Sequence, residues 1–147
     1  MRRFLRALIQ AIGLTLRGES LTPPHYRPLE TWIAAGLDLL GRVEELAPAE
    51  GVDLEAIQLK LDGRPTSLAR SLDMIRHNLV DEYPRLIRLD DPYSMMVVQA
   101  SNFNDQYRIS QFLAADIRLS PELQSALFAL NAHLLNLPQI DRPEADA

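Results

Sequence analysis

Residues 91–119 read DPYSMMVVQASNFNDQYRISQFLAADIRL, and the reading of this stretch decides the fold. Asp91 can cap a helix, and Pro92 suits the first helical position, where a missing N–H costs nothing. No further proline and no glycine occurs before Pro121. Met96, Ala100, Phe103, Tyr107, Ala114 and Ile117 recur at three- and four-residue spacing, with Ser110 in the one gap. That period predicts a helix that buries this stripe. Between Pro92 and Ala115 the only charges are Asp105 and Arg108; the other polar positions are amides and hydroxyls. A helix about 40 Å long at roughly 1.5 Å per residue, so poor in charge, is expected at the centre of a bundle.

Downstream, Ser120-Pro121-Glu122 is a helix start, with a cap, a proline at the first position and an acid in the first turn. Leu123, Leu127, Leu130, Leu134 and Leu137 form the stripe of this last helix, and no charge falls between Leu123 and Ile140. Terminal helices are normally half solvated. The uncharged run therefore marks Leu123, Leu127, Leu130, His133 and Leu134 as a candidate interface with another chain, or as bundle core. Its amides and His133 argue against a membrane span. Residues 138–147 form an acidic tail expected to be flexible.

Upstream, residues 29–47 carry Trp32, Ile33, Leu37, Leu39, Leu40, Val43 and Leu46 on one broad side of a predicted helix. Gly36 and Gly41 lower its intrinsic stability by about 1 kcal/mol each, which predicts close approach of a neighbouring helix at both. Residues 48–52 make a turn. Residues 53–61 are ambiguous, because Ile57, Leu59 and Leu61 alternate with Gln58 and Lys60 as in a strand. With no obvious partner strand, a short helix is favoured. After the break Asp62-Gly63-Arg64-Pro65, Thr66 or Ser67 caps a helix with Leu68, Leu72, Ile75, Leu79 and Tyr83 inside. Its outer face carries Arg70, Asp73, Arg76, His77, Asp81 and Arg85, a ladder of opposite charges. Pro84 must end or kink it.

The chain of 147 residues thus reads as all-α: an irregular bundle of about four core helices over residues 29–137. Before it come an amphipathic helix over residues 1–18 and a proline-rich connector over residues 19–28, with Pro23, Pro24 and Pro28. In the first segment Phe4, Leu5, Leu8, Ile9, Ile12 and Leu16 share one side, and Arg2, Arg6 and Arg17 the other. Residues 1–17 hold four basic residues, Arg2, Arg3, Arg6 and Arg17, and no acid; the remainder holds eleven basic and twenty acidic residues. This segment is too short to span a bilayer. Four destinations fit it: its own bundle, a groove in a partner protein, an anionic membrane surface, or an uncleaved targeting role.

The net charge of −5 argues against nucleic-acid binding. The absence of cysteine removes disulfide, thiolate-metal and thiol-nucleophile chemistry. The six glycines are too dispersed for a nucleotide loop, and no zinc or serine-hydrolase motif occurs. His77 and Asp81 sit four apart and read as part of the charge ladder rather than as metal ligands. No catalytic residue, metal or cofactor is expected. The expectation is a non-catalytic, cytoplasmic interaction or assembly protein that meets protein partners, with a homo-oligomer open. Its N-terminal helix would tether it to a membrane surface or a larger complex. The alternative is a ligand-binding or sensor domain with a polar pocket along Asn102, Gln106 and Tyr107.

Overall fold

In the computed structural model, which describes residues 22–141, the chain enters through a 3-10 turn, Pro24–Tyr26. This turn leads directly into helix α1, Arg27–Ala49, whose first turn holds Pro28 and Glu30. The expected N-terminal helix, with Arg2, Arg3, Phe4, Leu5, Arg6, Leu8, Ile9, Ile12, Leu16 and Arg17, lies outside the described residues, as does the end of the acidic tail. Pro28, read as part of the connector, belongs to the helix because its fixed φ suits a first turn.

Residues 53–61 are not the short helix favoured on sequence grounds. Strand β1, Gln58–Leu61, pairs antiparallel with β2, Arg64–Ser67, in the register Gln58↔Ser67 to Leu61↔Arg64. The turn is Asp62-Gly63, with φ of 51° and 79°. Two successive left-handed residues match the right-handed twist of a tight hairpin, and Asp-Gly is a preferred pair for that turn. The partner strand was thus the run after the turn, proline included: Pro65 sits on a two-stranded ribbon with no interior ladder to break.

Ser67 caps helix α2, Leu68–His77, its hydroxyl accepting from the Arg70 N–H. A π-helical turn, Asn78–Glu82, follows, and then α3, Tyr83–Leu89. The Tyr83 N–H reaches back five residues to the Asn78 carbonyl. The widened turn accommodates Pro84, whose ring would otherwise strike the carbonyl four residues earlier. The kink expected at Pro84 is absorbed here, and the inner face survives it: Leu68, Leu72, Ile75, Leu79 and Tyr83 are all buried.

Helix α4, Ser94–Ala114, is shorter at both ends than residues 91–119 suggested. Asp90 takes left-handed backbone at φ 49°, and Asp91 accepts from the Tyr93 N–H in a turn rather than capping the helix. Helix α5, Pro121–Leu135, starts as read, with Ser120 accepting from the Leu123 N–H. It packs against both α1 and α4. Leu137 and Ile140 continue onto the core, so the first residues of the expected tail belong to the bundle. The fold is mostly helical, with the hairpin as its only sheet among the described residues.

The two helical glycines differ. A Cβ on Gly36 would lie 3.3 Å from both His133 Cδ2 and Leu79 Cδ1, so Gly36 is where α5 and the π turn come close to α1. A Cβ on Gly41 would meet nothing within 4 Å, contrary to the expectation of a close neighbour there. Gly41→Ala is therefore expected to raise the unfolding free energy by about 0.5–1 kcal/mol, read as a higher urea midpoint at unchanged m-value. A lower midpoint would contradict this assignment.

Candidate functional site

Helix α4 is inside out relative to its sequence reading. Its buried positions are Ser94, Val98, Asn102, Asp105, Ile109 and Phe112. Most of the stripe expected to be buried faces outward instead: Met96 is 63% exposed and Phe103 64%, with Ala100, Tyr107 and Ala114 also exposed, while Ile117, beyond the helix end, packs against the core as expected. The reason lies in the partners of the polar residues. Asn102 Nδ2 donates to the Leu134 carbonyl at 2.7 Å, and Asn78 Nδ2 donates to Asp105 Oδ2 at 2.8 Å. The Ser94 hydroxyl donates to the Leu86 carbonyl at 2.9 Å. With these groups bonded, Val98, Ile109 and Phe112 turn inward on the same face, and the alternative apolar stripe is left in solvent.

Asp105 is 2% exposed, and burial pushes its carboxyl up to about 6; the hydrogen bond from Asn78, the Arg108 charge and Tyr83 oppose that shift. Arg108 Nη1 stands 3.6 Å from Asp105 Oδ1. The Tyr83 hydroxyl faces the same carboxylate and is raised above its ordinary range by burial and by that charge. Neither Tyr83 Oη nor Asp105 Oδ1 completes a hydrogen bond among the described residues. Enclosed this way, the cluster joins the π turn to α4 and offers no surface to a substrate.

The three residues expected to line a polar pocket sit in different environments. Asn102 is buried against the Leu134 backbone, Gln106 is half-buried and Tyr107 is exposed. A surface cleft does occur at the hairpin, lined by Glu55, Gln58, Thr66, Ser67, Arg70 and Asp73. Within it the Ser67 hydroxyl donates to Glu55 Oε2 while capping α2, so these polar groups are engaged in the fold.

Of the two readings of the uncharged run on α5, the leucines take the bundle-core one. Leu123, Leu127, Leu130 and Leu134 are each 1% exposed or less and form bundle core. His133 is half-buried; its Nε2 donates to the Trp32 carbonyl at 2.7 Å, and Trp32 Nε1 donates to the His133 carbonyl at 2.9 Å. The outward positions of α5 are Ser125, Phe128, Ala132 and Leu135, again at helical spacing. Phe128 is 53% exposed and Leu135 58%.

These two outward stripes belong to one surface. Asn102 and Leu134 are joined by a hydrogen bond, and so are Ser110 and Asn131, at 3.4 Å. The bonded positions rise along α4 as they fall along α5, so the two helices run antiparallel, and a further step of about 100° in each carries the chain to the same side of the seam. Phe103 and Leu135, each one residue beyond a bonded partner, therefore flank the same seam. Leu89 and Tyr93 extend the apolar surface past the start of α4, and both are more than 60% exposed. No charged side chain lies on either stripe. Exposed apolar residues are ordinary when scattered singly; here several fall at helical spacing on two adjacent helices. Sequence reasoning found the α4 stripe and assigned it the wrong environment. On α5 the sequence signal was the uncharged run itself.

His77 does not stand alone on the outer ladder. Its Nδ1 lies 3.2 Å from Asp81 and its Nε2 3.7 Å from Glu82, and Arg76 joins Asp73 to Glu44 of α1. No helix among the described residues is long and apolar enough to cross a membrane. Compared with known protein families, with characterised proteins and with solved structures, the chain matches none. Its own geometry is a small helical bundle with apolar side chains exposed on α4 and α5.

Proposed function

We propose that this chain is a non-catalytic interaction or assembly protein whose α4–α5 face docks another protein. The observation that carries this reading is the solvent-exposed, uncharged surface of Met96, Phe103, Tyr107, Phe128 and Leu135. Side chains of this kind supply the desolvated centre of protein interfaces, where aromatic and methionine residues are enriched and charges depleted. The face lacks the cations that an anionic lipid surface or a nucleic acid demands. Tethering to a membrane or a larger complex belongs, in this reading, to the basic segment of residues 1–17.

The test is a comparison, inside the source cell, of the natural chain with a Phe103→Glu/Phe128→Glu variant by in situ cross-linking. Both positions are exposed, so the variant is expected to keep its unfolding free energy within about 1 kcal/mol and its helical circular dichroism. It is expected to lose a defined set of cross-linked proteins that the natural chain holds. An identical set from a folded variant would defeat the proposal. Salt-sensitive co-sedimentation with anionic vesicles, lost on removal of residues 1–17, is the corresponding check on the tether.

A further inference from the structure

We infer that in the free protein the α4–α5 face is occupied by the chain's own N-terminal segment, residues 4–16. This rests on the reading of that face as a docking surface, and it names the first occupant and the means of regulation.

Three observations converge on it. The first is where the described chain begins. His25 Nε2 lies 3.2 Å from Asp90 Oδ1, and Tyr26 is buried, so the N-terminal connector leaves the bundle beside the start of α4. Tyr93 and Met96, the first members of the exposed face, follow directly. The residues from Arg17 to His25 reach about 27 Å when extended, ample for a turn back onto the face.

The second is length and pattern. As a helix, residues 4–16 would span about 18 Å, against about 21 Å from Tyr93 to Tyr107 on α4. Phe4, Leu5, Leu8, Ile9, Ile12 and Leu16 give that helix one apolar side, the complement of a face with no charge to satisfy. Entry beside Tyr93 sets the direction: Leu16 comes to Met96 and Leu5 to Tyr107, antiparallel to α4.

The third is charge. Arg2, Arg3, Arg6 and Arg17 stay outside the apolar contact, over a body whose remaining residues hold twenty acids against eleven bases. Arg17 comes closest to the Asp90-Asp91 corner. One apolar side cannot meet two surfaces at once. A partner protein that takes the face releases the segment, and a membrane that takes the segment uncovers the face.

The chain has no cysteine, so engineered thiols report proximity without background. The full chain is prepared with Leu16→Cys/Met96→Cys, with Leu5→Cys/Met96→Cys, and with Leu16→Cys/Lys60→Cys, the last placing a thiol on the hairpin. All three are oxidised at low micromolar protein. The first pair is expected to close within one chain at least about tenfold faster than the other two, because docking raises the local concentration of its thiols. Equal rates for the three pairs would overturn the inference. So would disulfides that join two chains, since the occupant would then be a second copy. A substitution at Ile9 to Glu supplies the second arm. It leaves the described bundle untouched and is expected to slow the first pair to the rate of the controls; an unchanged rate counts against docking. The partner-loss experiment above reads the face without reference to this segment, so either reading can fail while the other stands.

Discussion

Trp32→Ala is expected to lower the unfolding free energy by about 4 kcal/mol, the usual cost of truncating a buried tryptophan. Trp32 is 6% exposed and stacks on His133 with ring centroids 5.0 Å apart and planes 16° from parallel. It also lies 6.3 Å from the Tyr83 ring. Two reciprocal hydrogen bonds tie the side chain of each residue to the other's backbone carbonyl. The pair therefore clamps α1 to α5, and truncation at Trp32 would leave a cavity and take the indole donor from the His133 carbonyl. Since domains of this size are stable by roughly 5–15 kcal/mol, the variant would sit near the edge of folding. Trp32→Phe keeps a ring on His133 and removes the indole donor; a loss of only about 1–2 kcal/mol is expected. Because Trp32 is the only tryptophan, the measurement is a urea titration followed by far-ultraviolet circular dichroism. A loss under 1 kcal/mol for the alanine variant would show that the clamp does not hold the two helices together.

The second large effect is a dependence of stability on pH, set by Asp105. Its folded carboxyl titrates near 6 against an ordinary value of 3.8. Folding therefore favours the protonated form. Between pH 4 and 6 the native state binds more protons than the unfolded state, so stability from this group falls as pH rises through that window. Below pH 4 the carboxyl is neutral in both states and the burden vanishes. Above pH 6 the full cost applies, of order 3 kcal/mol for a shift of about two units. Asp105→Asn keeps an acceptor for Asn78 and an amide that can donate to the Tyr83 hydroxyl, and it carries no charge. The variant is expected to match the natural protein at pH 4 and to exceed it by up to about 3 kcal/mol at pH 7.5. Parallel stability profiles for the two proteins across that range would refute the assignment. The comparison isolates Asp105 because every other carboxylate is common to both.

Much of the fold follows from local chemistry. Ser67 and Ser120 cap the helices they precede, and Leu68, Leu72, Ile75, Leu79 and Tyr83 are buried at the period their spacing sets. A cap and a 3.6-residue period need only the residues within one or two turns, so sequence alone determines them. The hairpin was also local: Asp62-Gly63 between two short runs is a turn signal, and the alternation of Leu59 and Leu61 with Gln58 and Lys60 was the strand it belonged to.

What only the tertiary structure decided is the orientation of α4. That helix carries two apolar stripes, Val98, Ile109 and Phe112 on one side and Met96, Phe103 and Tyr107 on the other. By period alone either could face inward. The choice fell to Asn102 and Asp105, whose partners, the Leu134 carbonyl and the Asn78 amide, come from elements 32 and 27 residues away in the chain. A buried polar group is tolerable only when its hydrogen bond is made, and that bond exists only once the other helices are in place. Sequence therefore supplied two candidate faces, and packing selected which one is buried and which is left exposed.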